Sequence, residues 1–292
     1  MKRYVLGVLM VFVFVSGCVK QPPHPDSVVS PPEDVDVALI RSIERGEFSL
    51  AVKNYTRLIA DHGPRSGVLF NRGCAYLGLK KYEKARDDFA AALESDPAFW
   101  QARYNLALAL FELGRDEDGV AELEHCRDLD DGYVPASYGL GVHYLKRKQF
   151  DRAIVEFTRV IERAPLSADA RVNRGVAYLE TGQPDLAVRD FSRVLERSPD
   201  ASAVFYNRGI AYEQVEDFEA AVSDYTRAVE FNPEFGAAYY NRGLLLERMH
   251  ERERACRDLA TACEFGFCER YKNMQKLGEC PEMNRESYGA QE

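Results

Sequence analysis

The sequence is short of what most function classes need. Its 38 lysines and arginines are outnumbered by 47 aspartates and glutamates and form no basic stripe or run, which argues against nucleic acid as a partner. The five histidines, His24, His62, His125, His143 and His250, are scattered without metal-ligand spacing, and His24 stands among prolines as a solvated residue. There is no glycine-rich phosphate loop, no nucleophile elbow and no HExxH. Neither catalysis nor a cofactor or metal is expected. One apolar run, Tyr4 to Val15, is shorter than the roughly 20 residues of a comfortable membrane span.

What the chain has instead is a period. Between residues 32 and 269 a 34-residue unit recurs seven times without insertion: 32–65, 66–99, 100–133, 134–167, 168–201, 202–235 and 236–269. A glycine returns at Gly73, Gly141, Gly175, Gly209 and Gly243, with Leu39 and Ala107 at the equivalent places. Three residues on stand Tyr76, Tyr144, Tyr178 and Tyr212. Twelve past the glycine comes a small residue (Ala51, Ala85, Gly119, Ala153, Ala187, Ala221, Ala255), and four further a large one (Tyr55, Phe89, Leu123, Phe157, Phe191, Tyr225, Leu259). Pro97, Pro165, Pro199 and Pro233 close four of the copies.

These anchors describe a helical hairpin. Phe205, Gly209 and Tyr212 share a stripe at spacings of four and three, and Ala221, Tyr225 and Ala228 make the matching stripe on a second helix. Gly209 and Ala221 remove bulk where the helices cross, and Pro233, lacking an N–H, stops the second. A single hairpin cannot bury its apolar face, but stacked copies can. Period and anchors together resemble the tetratricopeptide-repeat family. The fold class expected is therefore all-α: a solenoid of seven hairpins with one continuous core, right-handed by that resemblance. Repeat one is degenerate in its first half, as a terminal copy can be, and repeat three (Ala107, Leu110, Gly119) lacks its proline.

The ends differ from the array. Residues 1–17 have Lys2 and Arg3 before the apolar run and small residues before Cys18, which reads as a secretory signal. Val15-Ser16-Gly17-Cys18 resembles the lipobox of bacterial lipoproteins, with valine in place of the usual leucine. That resemblance implies cleavage before Cys18, lipidation of Cys18 and attachment to the envelope, with Val19 pointing to the outer membrane. An ordinary secretory signal or an uncleaved anchor is the alternative. The formal charge of −9 would become −11 on losing Lys2 and Arg3. Val19 to Pro32 holds five prolines and no apolar period, so residues 18–31 are expected to form an extended tether of roughly 40 Å at about 3.1 Å per residue.

The copies also serve as a small internal alignment. Arg72, Arg174, Arg208 and Arg242 precede the glycine, and sixteen residues after each comes Asp88, Asp190, Asp224 or Asp258. Repeats three and four have Leu106 with Glu122 and Leu140 with Glu156. Either an Arg–Asp ion pair joins the two helices, or four copies have never diverged.

In the family the first helices line a concave groove. Mapped onto this chain, the groove carries Asn71, Asn105, Asn173, Asn207 and Asn241, interrupted at Gly139, beside Phe70, Tyr104, Tyr138, Val172, Tyr206 and Tyr240. An amide ladder can hold an extended peptide backbone, and tyrosines add contact area. The other reading is that Asn caps turns and Tyr packs between helices. Aromatics stand where a carboxylate-clamp lysine would, with Glu112, Glu180, Glu213 and Glu247 nearby, so a mildly acidic groove is expected. Beyond it, Cys268 to Leu277 reads as a capping helix that starts at the end of repeat seven, and with the polar tail from Gly278 it makes up the segment 270–292. If the cap folds back, Cys263 meets Cys268 and Cys256 meets Cys280, the pairing expected in an oxidising compartment. Zinc is the rival use, although the spacing fits no paired C-x-x-C. Cys74 and Cys126 are expected to be buried thiols. The functional expectation is a lipid-anchored periplasmic adaptor holding a peptide or partner protein in envelope, pilus or secretion assembly. The alternative is an oligomerising envelope scaffold.

Overall fold

The computed structural model describes residues 42–129 and 134–281. The expected signal, Cys18, tether, the start of repeat one and the polar tail therefore lie outside the described residues.

Fourteen helices are described, with no strand among the described residues. They are α1 (Phe48–His62), α2 (Ser66–Gly78), α3 (Tyr82–Ser95), α4 (Trp100–Glu112), α5 (Asp116–Leu129), α6 (Val134–Lys146), α7 (Phe150–Arg163), α8 (Ala168–Glu180), α9 (Pro184–Leu195), α10 (Ser202–Gln214), α11 (Phe218–Phe231), α12 (Gly236–Arg248), α13 (Arg252–Glu264) and α14 (Glu269–Lys276). Each even-numbered helix from α2 to α12 is the first of its repeat. The chain divides into two compact units at Arg147–Lys148, with Glu162–Ala164 grouped with the first. The division falls inside repeat four, one of the two copies that carry leucine in place of the arginine.

In the N-terminal unit α2 packs on α3 and α4 on α5; in the C-terminal unit α8, α10 and α12 pack on α9, α11 and α13. First helices of adjacent copies also touch, α2 with α4 and α8 with α10, so in each unit they form one layer. The repeated glycine has a steric cause. A Cβ on Gly73, Gly175 or Gly209 would lie 2.6 to 2.7 Å from the ring of Phe89, Phe191 or Tyr225, all completely buried. The ring from the second helix rests on bare backbone of the first.

The Arg–Asp covariation is an ion pair. In all four copies both carboxylate oxygens are held: Arg208 Nε donates to Asp224 Oδ2 at 2.7 Å and Nη2 to Oδ1 at 2.8 Å, with matching forks at Arg72, Arg174 and Arg242. The remaining nitrogen, Nη1, reaches back to the preceding copy, donating to Thr56, Thr158, Ser192 or Thr226 at 2.9 to 3.4 Å. One guanidinium thus ties three helices. Hydrogen bonding to Asp224 raises the Arg208 pKa above its ordinary value, while burial pushes Asp224 upward against the pull of Arg208. Repeat three, with Leu106, uses Arg103 one turn earlier, and the longer Glu122 meets it at 2.8 Å.

Turns within the hairpins repeat as strictly as the anchors. Gly46, Lys80, Gly114, Lys148, Gly182, Glu216 and His250, each 34 apart, all have φ between 56° and 80°. After this left-handed residue the next N–H donates five residues back, for example Lys81 to Tyr76 and Asp217 to Tyr212, which caps the first helix.

Candidate functional site

The first-helix layer is where the ladder residues were expected to face a ligand, and for six of the nine the structure buries the side chain instead. Asn105, Asn173, Asn207 and Asn241 are buried, as are Tyr104 and Tyr206; Asn71, Tyr138 and Tyr240 are half-buried. The reason is visible in the C-terminal unit. Asn241 Nδ2 on α12 donates to the Tyr206 hydroxyl on α10 at 3.0 Å, so the pair lies in the seam between consecutive first helices. Tyr206 packs on Phe235 and Tyr225, with ring centroids 4.8 and 5.7 Å away. Tyr225 in turn donates to buried Glu213 Oε1 at 2.5 Å. Burial raises the Tyr206 pKa, and lifts that of Tyr225 well above the ordinary range, so both phenols stay protonated. The same geometry explains the gap at Gly139: a Cβ there would come within 3.2 Å of the Tyr104 ring, which occupies the seam instead. Asn105 turns inward too, donating to Gln101 O at 2.9 Å. Asn241 and Tyr206 thus brace consecutive repeats, whereas Asn105 bonds within its own helix.

A column of apolar side chains, half-buried like Asn71, Tyr138 and Tyr240 and interrupted by buried Cys74 and Ile210, lies one helical turn further along. On the stripe four residues past the Tyr/Val column stand half-buried Leu108 and Val142 in the N-terminal unit, and half-buried Val176 and Leu244 in the C-terminal unit. Exposed Glu112 and Glu180 flank them. This column was legible as the residue just after each glycine, but the amides one turn earlier drew attention from it. In each unit, taken by itself, the first helices carry half-buried apolar side chains beside an exposed carboxylate. That chemistry suits a chain with apolar residues and a positive charge. No group of His, Cys, Asp or Glu fit to hold a metal occurs among the described residues.

The cap forms as its sequence suggested. Helix α14 covers the last hairpin, burying Tyr271 and Met274 against Cys256, Leu259 and Ala260. The sulfur atoms of Cys256 and Cys280, and those of Cys263 and Cys268, lie at disulfide distance, with Cα atoms 5.6 Å apart in the first pair. Arg270 of the cap forms an ion pair with Glu247, which takes one carboxylate of the expected acidic rim out of play. Cys74 and Cys126 are buried thiols outside the two cysteine pairs, and burial pushes Cys126 up to about 12. No helix among the described residues is long and apolar enough to cross a membrane.

Comparison with known proteins gives the family. Tetratricopeptide-repeat profiles match residues 70–127, 138–202 and 202–235. Among curated proteins the chain is 32% identical over 89 residues to the photosystem I assembly protein Ycf3 of Acaryochloris marina, covering 30% of this chain and 54% of that one. It is 27% identical over 123 residues to a probable UDP-N-acetylglucosamine–peptide N-acetylglucosaminyltransferase, SPINDLY, of Hordeum vulgare, covering 40% of this chain and 13% of the relative. The chain thus spans only part of these relatives. Among solved structures, the C-terminal part of a repeat protein from Cytophaga hutchinsonii superposes with a TM-score of 0.70 at 15% identity, over 81% of this chain and 98% of that one. YrrB, described as a protein of this kind with an unusual peptide-binding site, superposes with a TM-score of 0.57 at 21% identity, over 65% and 97%. At those identities the likeness establishes the fold alone. With matched repeats over more than half its length, the chain belongs to the tetratricopeptide-repeat family, whose members mediate protein–protein interactions.

Proposed function

We propose that this protein is an adaptor of the bacterial cell envelope, anchored by lipid on Cys18 and binding an extended segment of a partner protein on its first-helix face. The observation that carries the reading is the column of half-buried apolar side chains, Leu108 and Val142 in one unit and Val176 and Leu244 in the other, beside exposed Glu112 and Glu180. Apolar residues on a preorganised surface supply contact area, and the flanking carboxylates select a basic or neutral segment over an acidic one. The lipobox-like VSGC and proline-rich tether support an envelope location, and the two cysteine pairs suit an oxidising compartment. YrrB, described as having an unusual peptide-binding site, shares the fold, which supports peptide binding by analogy. Assembly of envelope, pilus or secretion machinery is the process proposed.

The competing reading, an oligomerising scaffold, uses a different surface, and one experiment separates them. Envelope extracts are passed over the full chain, over a Leu108→Glu/Val176→Glu variant, and over Val155→Glu, which alters an exposed residue of second helix α7. The adaptor reading expects partner recovery to vanish with the first variant and persist with the second. Recovery unchanged by the first variant, together with loss of self-association in the second, would transfer the function to the second-helix face.

A further inference from the structure

Repeat five carries a cleft at positions that the next copy fills with stacked rings. A cavity of about 450 Å³ opens between the start of α8 and the end of α9, walled by Leu166, Arg171, Arg193 and Arg197. The next copy is a built-in control. Thirty-four residues on from Arg171 and Arg197 stand Phe205 and Phe231, whose rings stack with centroids 5.8 Å apart and planes 18° from parallel. One copy further, the same positions are Tyr239 and Phe265. Where repeat six stacks two aromatic rings across this gap, repeat five leaves it open and lines it with three guanidinium groups and the Glu196 carboxylate.

Their charge is incompletely answered. Arg171 donates to Pro165 O at 3.0 Å and approaches Asp190 at 3.5 Å, but Asp190 is already held on both oxygens by Arg174. Arg193 pairs at 3.0 Å with Glu196 on its own helix face, where both side chains are more than half exposed and the pair is weak. Arg197 makes no ion pair among the described residues. At the rim Leu166 is 67% exposed. A cationic, half-walled cavity in a chain of net charge −9 is a local reversal of sign, and its volume falls in the range of ligand clefts, about 300–1,000 Å³.

We propose that this cleft is a second docking site, taking an acidic segment of a partner protein, with carboxylates between Arg171, Arg193 and Arg197 and an apolar side chain against Leu166. Planar guanidiniums suit carboxylates, which they engage through two hydrogen bonds. The site is independent of the first-helix face and opposite to it in charge preference, so the two readings can fail separately.

The test uses the full chain and a fluorescein-labelled Leu-Glu-Asp-Leu-Glu-Asp peptide, followed by anisotropy, with a Leu-Gln-Asn-Leu-Gln-Asn peptide as control. The acidic peptide is expected to bind and the amide control to fail, with affinity falling as salt rises. Arg171→Phe/Arg197→Phe, which rebuilds the packed arrangement of repeat six, is expected to weaken binding by roughly tenfold or more, matching the loss of charge-assisted hydrogen bonds. Arg193→Glu, at an exposed position outside the hairpin's packing, should do the same without touching the fold. Leu108→Glu/Val176→Glu should leave this binding intact. No binding by the parent chain, equal binding by Arg193→Glu, or displacement by inorganic phosphate as readily as by unlabelled peptide would overturn the proposal.

Discussion

Replacing Arg208 by methionine should be among the costlier single changes in the C-terminal unit. The substitution keeps much of the aliphatic stem but removes two hydrogen bonds to Asp224, at 2.7 and 2.8 Å, and one to Ser192 at 2.9 Å. Asp224 would be left with 6% of its side chain exposed and no counterion in place. Breaking a buried pair from one side costs about 3–5 kcal/mol. Arg208 itself retains 18% exposure, so water can partly replace it, and the expected loss is about 3 kcal/mol. The exposed Arg227–Glu230 pair, at 3.0 Å, is the comparison: Arg227→Met should cost less than about 0.5 kcal/mol because both side chains are more than half exposed. Arg208→Met/Asp224→Asn should recover about half of the loss, since a neutral amide is cheaper to bury than an orphaned carboxylate. Urea unfolding followed by circular dichroism, read as midpoints at unchanged slope, measures all three. A cost below about 1 kcal/mol for Arg208→Met, or a double variant no more stable than the single, would refute the staple as an energetic element.

Three further outcomes follow from particular contacts. Gly175→Ala should destabilise by about 1–3 kcal/mol, because the new Cβ would meet the Phe191 ring at 2.6 Å, whereas Gly67→Ala, with nothing within 4 Å, should stabilise by up to about 1 kcal/mol; thermal melts distinguish the signs. His143 stacks on Phe111 at 4.1 Å, and burial, opposed by Asp116 and reinforced by Arg147 and Lys146, holds its pKa below the ordinary imidazole value. The unfolded chain then takes the proton first, so stability is complete above about pH 6.5 and is lost as pH falls toward the folded pKa; Trp100 fluorescence during urea unfolding should show this slope, and His143→Phe should flatten it. Cys18→Ser should abolish incorporation of labelled palmitate in a bacterial host; retained label would remove the proposed anchor.

The sequence made some of this architecture readable and hid the rest for identifiable reasons. Helix positions followed from the 34-residue anchors because glycine under Phe191 or Tyr225 is a steric requirement, which sequence must obey. The Arg–Asp fork was visible as a joint exchange of Arg for Leu and Asp for Glu. Its third contact was legible too, since Thr56, Thr158, Ser192 and Thr226 each stand sixteen residues before an arginine, while Ala90 and Glu124 precede Leu106 and Leu140. The left-handed turn residues escaped notice because Lys80, Lys148, Glu216 and His250 share no chemistry; the backbone bond pattern imposes the conformation on them. The amide ladder misled because helical spacing places a residue on a face but does not say whether the next helix covers it. Asn241 donates to the Tyr206 hydroxyl in that covered seam. Within the C-terminal unit the core runs on from copy to copy, with Leu179 and Phe205 packing against the buried clusters of two adjacent repeats.

The claim most in need of a direct measurement is that the first-helix face grips a partner. A photo-crosslinking amino acid placed in the full chain at Leu108, Val176 or Leu244, and for comparison at Val155 or Phe231 on second helices, would report the neighbours of each face in living cells. The account predicts one shared heterologous adduct from the three first-helix positions and none from Val155 or Phe231. Adducts arising only from the second-helix positions, or only between copies of this chain, would contradict it.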